Sequence, residues 1–274
     1  MDLYLQMGHG MMGHCRHLVQ KWNGGTVILS PKNLTRDQII SHSQEMSKSN
    51  GSVLIDPQFY IPRTSHQNLQ CHSFWPTGAF DTSTFFTGQG IDDLLQKLIN
   101  EYVQPAGCSA FIVPSLLLDN EVNDDWDQIN QLILTTVSNY HLDIPLYMTL
   151  CIGSDVFLSE EKTHSLLELV EEYSVDGFYI IAEHPKNDYL VDNVSWLFNI
   201  MDFTAGLKSR NKKIILGYSN HQFLAFALAK VDAICAGTWL KTRMFPWGDF
   251  DIEDESSFGR KTTWYYCPQA LSEY

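Results

Sequence analysis

The amino-acid sequence predicts a single (β/α)8 (TIM) barrel. Eight short apolar runs each end in Gly or a polar residue, and a helix-like segment follows each. That alternation is the pattern of parallel strands joined by crossover helices. The length of 274 residues suits one barrel domain spanning 1–274, since such barrels run to roughly 250 residues. An apolar fraction of 44% is ample for the core. Catalytic groups in such barrels sit on the loops where strands end. The candidate positions are therefore Gly8-His9-Gly10, Ser30-Pro31-Lys32-Asn33, Asp56-Pro57-Gln58, Pro114-Ser115, Gly153-Ser154-Asp155, Glu183-His184, Tyr218-Ser219-Asn220-His221 and Gly237-Thr238.

Strand one is read at Leu3–Gln6, and the helix Met12–Trp22 is closed by Asn23-Gly24-Gly25, residues that favour a left-handed C-cap. Strand two, Thr26–Leu29, leads into a helix with Thr35 as N-cap and Asp37 in its first turn. Asn50-Gly51 ends that helix before strand three, Ser52–Ile55. Residues 58–90 then depart from the rhythm, being rich in Pro, Thr, Ser and aromatics (Phe59, Tyr60, Phe74, Trp75, Phe80, Phe85, Phe86). A connection of that length reads as an insertion, either a lid over the site or a segment packed on the barrel rim. Helix Ile91–Val103, strand Ala110–Val113, helix Trp126–Tyr140, strand Leu146–Cys151, helix Ser159–Tyr173 and strand Gly177–Ala182 come next. Helix Val194–Ser209, strand Ile214–Leu216, helix His221–Lys230 and strand Asp232–Ala236 complete the barrel. Residues 244–274 form a tail, whose end at Pro268–Tyr274 looks like a helix start.

The chain carries 18 Lys+Arg against 32 Asp+Glu, a net charge of −14. Bulk electrostatics therefore repel a polyphosphate, so a nucleic-acid role requires a local basic patch or a basic partner. No apolar run approaches the ~20 residues of a membrane span, and no basic-then-apolar leader opens the sequence. Six cysteines (Cys15, Cys71, Cys108, Cys151, Cys235, Cys267) are scattered singly, several of them inside strands. They read as reduced, mostly buried thiols of a cytoplasmic protein that neither touches a membrane nor carries a cofactor signature.

Asp56 is the first candidate for chemistry. It comes directly after Val53-Leu54-Ile55, Asp is disfavoured inside strands, and Pro57 stops the strand behind it. Glu183 and His184 end strand six, where a carboxylate or an imidazole can serve as general acid or base. Adjacent residues point to opposite faces, and Glu183 is the one expected at the mouth. His9, His14, Cys15 and His17 cluster near strand one, but no His-x-His pair is present and no metal site is expected. Gly237 and Thr238, with Lys241 and Arg243 close behind and Lys32 and Arg63 elsewhere on the rim, make a candidate phosphate site. Gly-x-Ser-x-Gly and Gly-rich dinucleotide signatures are missing. Phe59, Tyr60 and Trp75 leave the same strand end as Asp56 and are candidates to stack on a flat ligand.

Taken in order, these stretches resemble the tRNA-guanine transglycosylase superfamily, including its archaeosine and DNA-deazaguanine branches. Val53-Leu54-Ile55-Asp56-Pro57-Gln58-Phe59 is similar to that family's strand ending in an Asp that contacts the base and works in proton transfer. Asp176 through Glu183 resembles its strand running into a Glu of the base pocket. Leu216-Gly217-Tyr218-Ser219-Asn220, with the helix and Val231-Asp232 behind it, parallels its Gly-x-Gly-x-Pro turn. The resemblance implies a pocket for a purine or 7-deazaguanine base formed around Asp56, Glu183, Gln58, Gly217 and Tyr218, with tRNA or DNA as partner and pentosyl transfer as the chemistry. Two departures stand out. The family's nucleophilic Asp corresponds to the stretch Ala233-Ile234-Cys235-Ala236-Gly237, which holds no carboxylate, and the Cys-rich zinc motif after the barrel is missing, with only Cys267 remaining. Two alternatives stay open: a non-catalytic barrel subunit bound to a protein partner, and a metal-dependent hydrolase using His9, Asp56 and Glu183.

Overall fold

Continuous apolar runs such as Val53-Leu54-Ile55 and Phe178–Ala182 suit strands buried on both faces, by the barrel interior and by the surrounding helices. In the computed structural model, which describes residues 1–62, 66, 68–76, 88–251, 266–267 and 272–273, they form such a sheet. The strands are β1 Asp2–Gln6, β2 Gly25–Leu29, β3 Gly51–Ile55, β4 Phe111–Val113, β5 Leu146–Ile152, β6 Gly177–Ala182, β7 Lys213–Leu216 and β8 Ala233–Ala236. All pair in parallel in the order β3-β2-β1-β8-β7-β6-β5-β4. The seam of this nearly closed barrel lies between β3 and β4, where the Ser109 N–H donates to the Val53 carbonyl at 3.1 Å. The chain is a TIM barrel, and each strand falls within a residue of its expected ends.

The outer ring comprises α1 Met12–Trp22, α2 Arg36–Ser47, α3 Gly88–Leu98, α4 Asp124–Ser138, α5 Glu160–Val170 and α6 Val194–Ser209. Thr35 caps α2 as expected: its hydroxyl accepts the Gln38 N–H at 3.3 Å while the Gln38 side chain accepts the Thr35 N–H at 2.9 Å, a capping box. Asn23 closes α1 at φ 52.

Four helical expectations need correction. α4 starts before Trp126, because Asn123 caps the Trp126 N–H at 2.9 Å and Asp124 and Asp125 occupy the first turn; these acids read as loop but favour the positive end of the helix dipole. The segment expected as Ile91–Val103 begins at Gly88 and continues through a π turn at Ile99–Val103 to Ala106. Pro105 lacks an N–H, and the Glu101 carbonyl four residues before it receives the Arg36 Nε–H at 3.1 Å. The seventh connection is a 3-10 helix, His221–Ala227, rather than an α-helix to Lys230. The end of the tail forms a two-strand pair, Tyr266–Cys267 with Ser272–Glu273, not a helix start.

Of the expected insertion, residues 63–65, 67 and 77–87, with Arg63, Phe80, Phe85 and Phe86, lie outside the described residues. Its described part packs on the barrel rim, with Leu69, Phe74 and Trp75 buried. His72 pins it there: Nε2 lies 2.9 Å from the Pro31 carbonyl and Nδ1 3.0 Å from the Tyr102 hydroxyl. A carbonyl only accepts and burial lowers the His72 pKa, so the imidazole is neutral with its proton on Nε2. Among the described residues no helix is long and apolar enough to cross a membrane, and Cys15, Cys71, Cys108, Cys151 and Cys235 are unpaired, all but Cys71 buried.

Candidate functional site

β3 delivers Asp56 to the mouth of the barrel at the C-terminal ends of the strands. The Asp56 N–H still donates to the Leu29 carbonyl at 3.0 Å, and Pro57 then ends the ladder. The carboxylate is fully buried. Its Oδ1 accepts the Gln58 N–H at 2.9 Å, an Asx turn. Its Oδ2 faces three phenols: Tyr60 at 2.5 Å, Tyr179 at 3.1 Å and Tyr218 at 3.5 Å. Burial pushes the Asp56 carboxyl up from 3.8 to about 6, although the hydrogen bonds from Tyr60, Gln58, Tyr179 and Tyr218 all pull the other way. Desolvation outweighs four donors, which leaves a carboxyl that changes charge just below neutrality.

The second layer is equally closed. The Gln58 Oε1 accepts from the Ser30 hydroxyl and the Lys32 N–H, both at 2.9 Å, and its Nε2 donates to the Tyr218 hydroxyl at 3.1 Å. The Tyr179 hydroxyl also stands 3.1 Å from Gln6 Oε1, while Gln6 Nε2 is buried with no partner among the described residues. A half-turn of the Gln6 carboxamide places its donor on the Tyr179 oxygen and releases that phenol's proton to Asp56. Gly217 lies against this group, since a Cβ there would stand 2.7 Å from the Tyr179 hydroxyl.

An aromatic cover lies above. After β8 the chain folds back across the mouth and buries Phe245 and Phe250. Their rings pack edge-on against Tyr60 at 5.3 and 5.1 Å, and Phe245 meets Tyr218 at 5.6 Å. Asp249, beside Phe250, pairs with Lys32 at 3.0 Å and with Lys241 at 2.5 Å. Lys241 and Lys32, expected to form a rim for phosphate, are thus joined to an internal carboxylate. Arg243 donates to the Gly237 carbonyl at 2.7 Å. Arg63 lies outside the described residues.

Glu183 ends β6 half-buried, and its Oε2 accepts the Ser154 N–H at 3.0 Å. Burial raises its pKa, Ser154 opposes this, and Asp119 and Asp155 reinforce it. No hydrogen bond links Glu183 to Asp56; both act on the buried Cys151, whose pKa burial and these two carboxylates raise. His184 turns the opposite way, its ring stacked on Phe223 and edge-on to Trp196 under the helices. Phe59 and Trp75 are buried and meet edge-on at 5.4 Å, and Trp75 also meets His66 edge-on at 5.9 Å. His9, His14 and His17 are exposed. Among the described residues no three of His, Cys, Asp and Glu are grouped to hold a metal ion, so the triad of the hydrolase alternative is not assembled. Cys235, at the position where the resemblance expects a nucleophile, is fully buried, with its thiol pushed well up in pKa by burial and by Asp56.

Tyr179, Phe245, Asp249 and Phe250 belong to the site and were not expected there from the sequence. Tyr179 shares a strand face with Glu183 by its period of two, a signal that it points inward. The run Phe245-Pro246-Trp247-Gly248-Asp249-Phe250 is aromatic, but nothing local in it says that it returns over the mouth.

No family model matches the chain, and no curated protein matches it. Among solved structures it is similar to a thiamine phosphate pyrophosphorylase from Pyrococcus furiosus, at 10% identity and TM-score 0.42 over 91% of this chain and 95% of that one. It is also similar to an HpcH/HpaI aldolase from Desulfitobacterium hafniense, at 7% identity and TM-score 0.47 over 88% and 87%. A 3-dehydroquinate dehydratase from Enterococcus faecalis is similar at 8% identity and TM-score 0.45 over 88% and 90%.

Proposed function

We propose that this barrel is a transglycosylase-like protein that holds a purine or 7-deazaguanine base at its mouth and serves nucleic-acid modification on tRNA or DNA. The observation that carries the reading is Asp56, a buried strand-end carboxyl with its pKa at about 6. Such a group gives and takes a proton at a ring nitrogen near neutral pH. Tyr60, Tyr218, Phe245 and Phe250 supply aromatic surface beside it, and a flat base exchanges for such surface with stacking worth about 1–3 kcal/mol per ring. Glu183, at the end of β6, supplies a second carboxylate acceptor on the same rim of the barrel, on a strand that does not adjoin β3. Cys235 remains a thiol at neutral pH, so the reading is base binding with proton transfer; among the described residues no carboxylate stands at the end of β8, where pentosyl exchange would need a nucleophile.

The test is calorimetric titration of the full chain with guanine and 7-deazaguanine, before and after Asp56→Asn. Binding that weakens at least tenfold in the variant supports the reading. Absence of binding by either base, in the wild type and in a variant with the cover loosened by Phe250→Ala, removes it.

A second reading, the non-catalytic subunit, draws on a separate observation. Among the described residues no outer-ring helix comes after β8. The flank beside β1 and β8 holds an apolar cavity of about 430 Å³, and its lining residues Leu3, Trp22 and Leu224 are exposed. Apolar flanks of this kind mark partner surfaces. Stoichiometric co-purification of a partner, lost on Leu224→Asp, supports this reading; a monomer that turns over substrate eliminates it.

A further inference from the structure

Asp249 is an anion clamped between two cations at the barrel mouth. Its Oδ2 lies 3.0 Å from Lys32 Nζ and its Oδ1 2.5 Å from Lys241 Nζ. Lys32 also donates to the Asp249 carbonyl at 3.1 Å, and His66 Nε2 approaches the same oxygen at 3.2 Å. The Lys32 side chain is only 15% exposed, and its ammonium sits 4.4 Å over the Phe250 ring. Burial alone would raise the Asp249 carboxyl, but Lys241 and Lys32 more than offset it and hold the group below its usual range.

We infer that Lys32 and Lys241 form a binding site for a phosphate group, occupied in this conformation by the Asp249 carboxylate. Two ammonium groups converging on one oxyanion satisfy a phosphate as well as a carboxylate. The site is coupled to the mouth through the chain itself. Asp249 and Phe250 are consecutive, and Phe250 lies on Tyr60, the closest phenol to Asp56. An incoming phosphate that displaces Asp249 therefore draws Phe250, and with it the stacked Phe245 ring, off the site. A chain of net charge −14 offers a polyanion no general attraction, so phosphate selectivity must come from a local exchange of one anion for another. The phosphate site stands on its own contacts, whereas admission of a base to the opened mouth rests on the base-binding reading.

The experiment titrates the full chain with inorganic phosphate and with a short oligothymidylate, by calorimetry, in the wild type and in Asp249→Asn. Binding of one or both probes at least tenfold tighter in Asp249→Asn is expected, with faster hydrogen exchange through residues 244–251. Tightening by phosphate identifies a free or terminal phosphate, and tightening by the oligomer alone identifies a backbone diester. Lys241→Gln in the Asp249→Asn background should reverse the gain; its side chain is 67% exposed, so the change spares the core. Equal affinity in Asp249→Asn and wild type for both probes, or a gain that survives Lys241→Gln, overturns the inference. Guanine is titrated in parallel. A phosphate gain without guanine binding keeps this site and removes the base reading, and guanine binding without a phosphate gain does the reverse.

Discussion

Gln58 and Tyr218 both sit in left-handed backbone conformations, at φ 56 and φ 51, and are joined by a 3.1 Å hydrogen bond from Gln58 Nε2 to the Tyr218 hydroxyl. Neither is glycine, and each such conformation costs on the order of 1 kcal/mol. One residue comes after β3 and the other after β7, so the bond ties strain at two strand ends into a single unit around Asp56. Strain of this kind persists where surrounding contacts over-determine it.

Tyr218→Phe removes the acceptor and leaves the Gln58 amide buried without it. The expected loss is about 1–3 kcal/mol in urea unfolding. A change below a few tenths would show that the bond does not stabilise the fold.

Asp56 predicts an unusual pH dependence. Its carboxyl titrates at about 6 folded against 3.8 ordinarily. Between those values the folded state holds more protons than the unfolded one, so this residue's contribution is intact below about 4 and is lost as pH rises through about 6. The displacement corresponds to roughly 3 kcal/mol. Asp56→Asn carries no such charge and should therefore gain on the wild type by about that amount between pH 4 and 7. A gap that stays constant, or that moves the other way, contradicts the assignment.

Gly217→Ala should act on the same group from behind. Its Cβ would meet the Tyr179 hydroxyl at 2.7 Å, inside a packed lumen where overpacking costs about 1–3 kcal/mol. Unfolding measurements on Gly217→Ala and on Gly217→Ala/Tyr179→Phe separate the steric cause, since removing the phenol oxygen should restore part of the loss.

Trp75 is 2% exposed in the rim cluster, a packed position. Trp75→Ala is expected to cost about 3–5 kcal/mol with base affinity unchanged. Lower affinity at full stability would instead assign it to a ligand lid.

The strands were legible because each is a short, mostly apolar run closed by Gly, Pro or a polar residue, so periodicity and punctuation agreed. Asp56, Tyr60 and Tyr218 were legible for the same reason: each lies just beyond a strand end. Helix starts were less so, because Asn123-Asp124-Asp125 reads equally as an acidic loop or a capped first turn. The cover was not legible at all, since no local pattern says that Phe245 and Phe250 return over the mouth or that Asp249 finds Lys32, which lies 217 residues earlier in the chain. Long-range charge pairing has no sequence period. The positive rim expected at Lys241 and Lys32 is for that reason an ion-paired latch.

The central claim is that Asp56 is a buried carboxyl poised to move a proton near neutral pH. Titration of aspartate carboxyl carbons by NMR, with Asp56 assigned through Asp56→Asn, tests it most directly. A midpoint at about 6 that shifts on addition of guanine is the predicted result. A midpoint at or below the ordinary 3.8, unmoved by the base, would contradict the account.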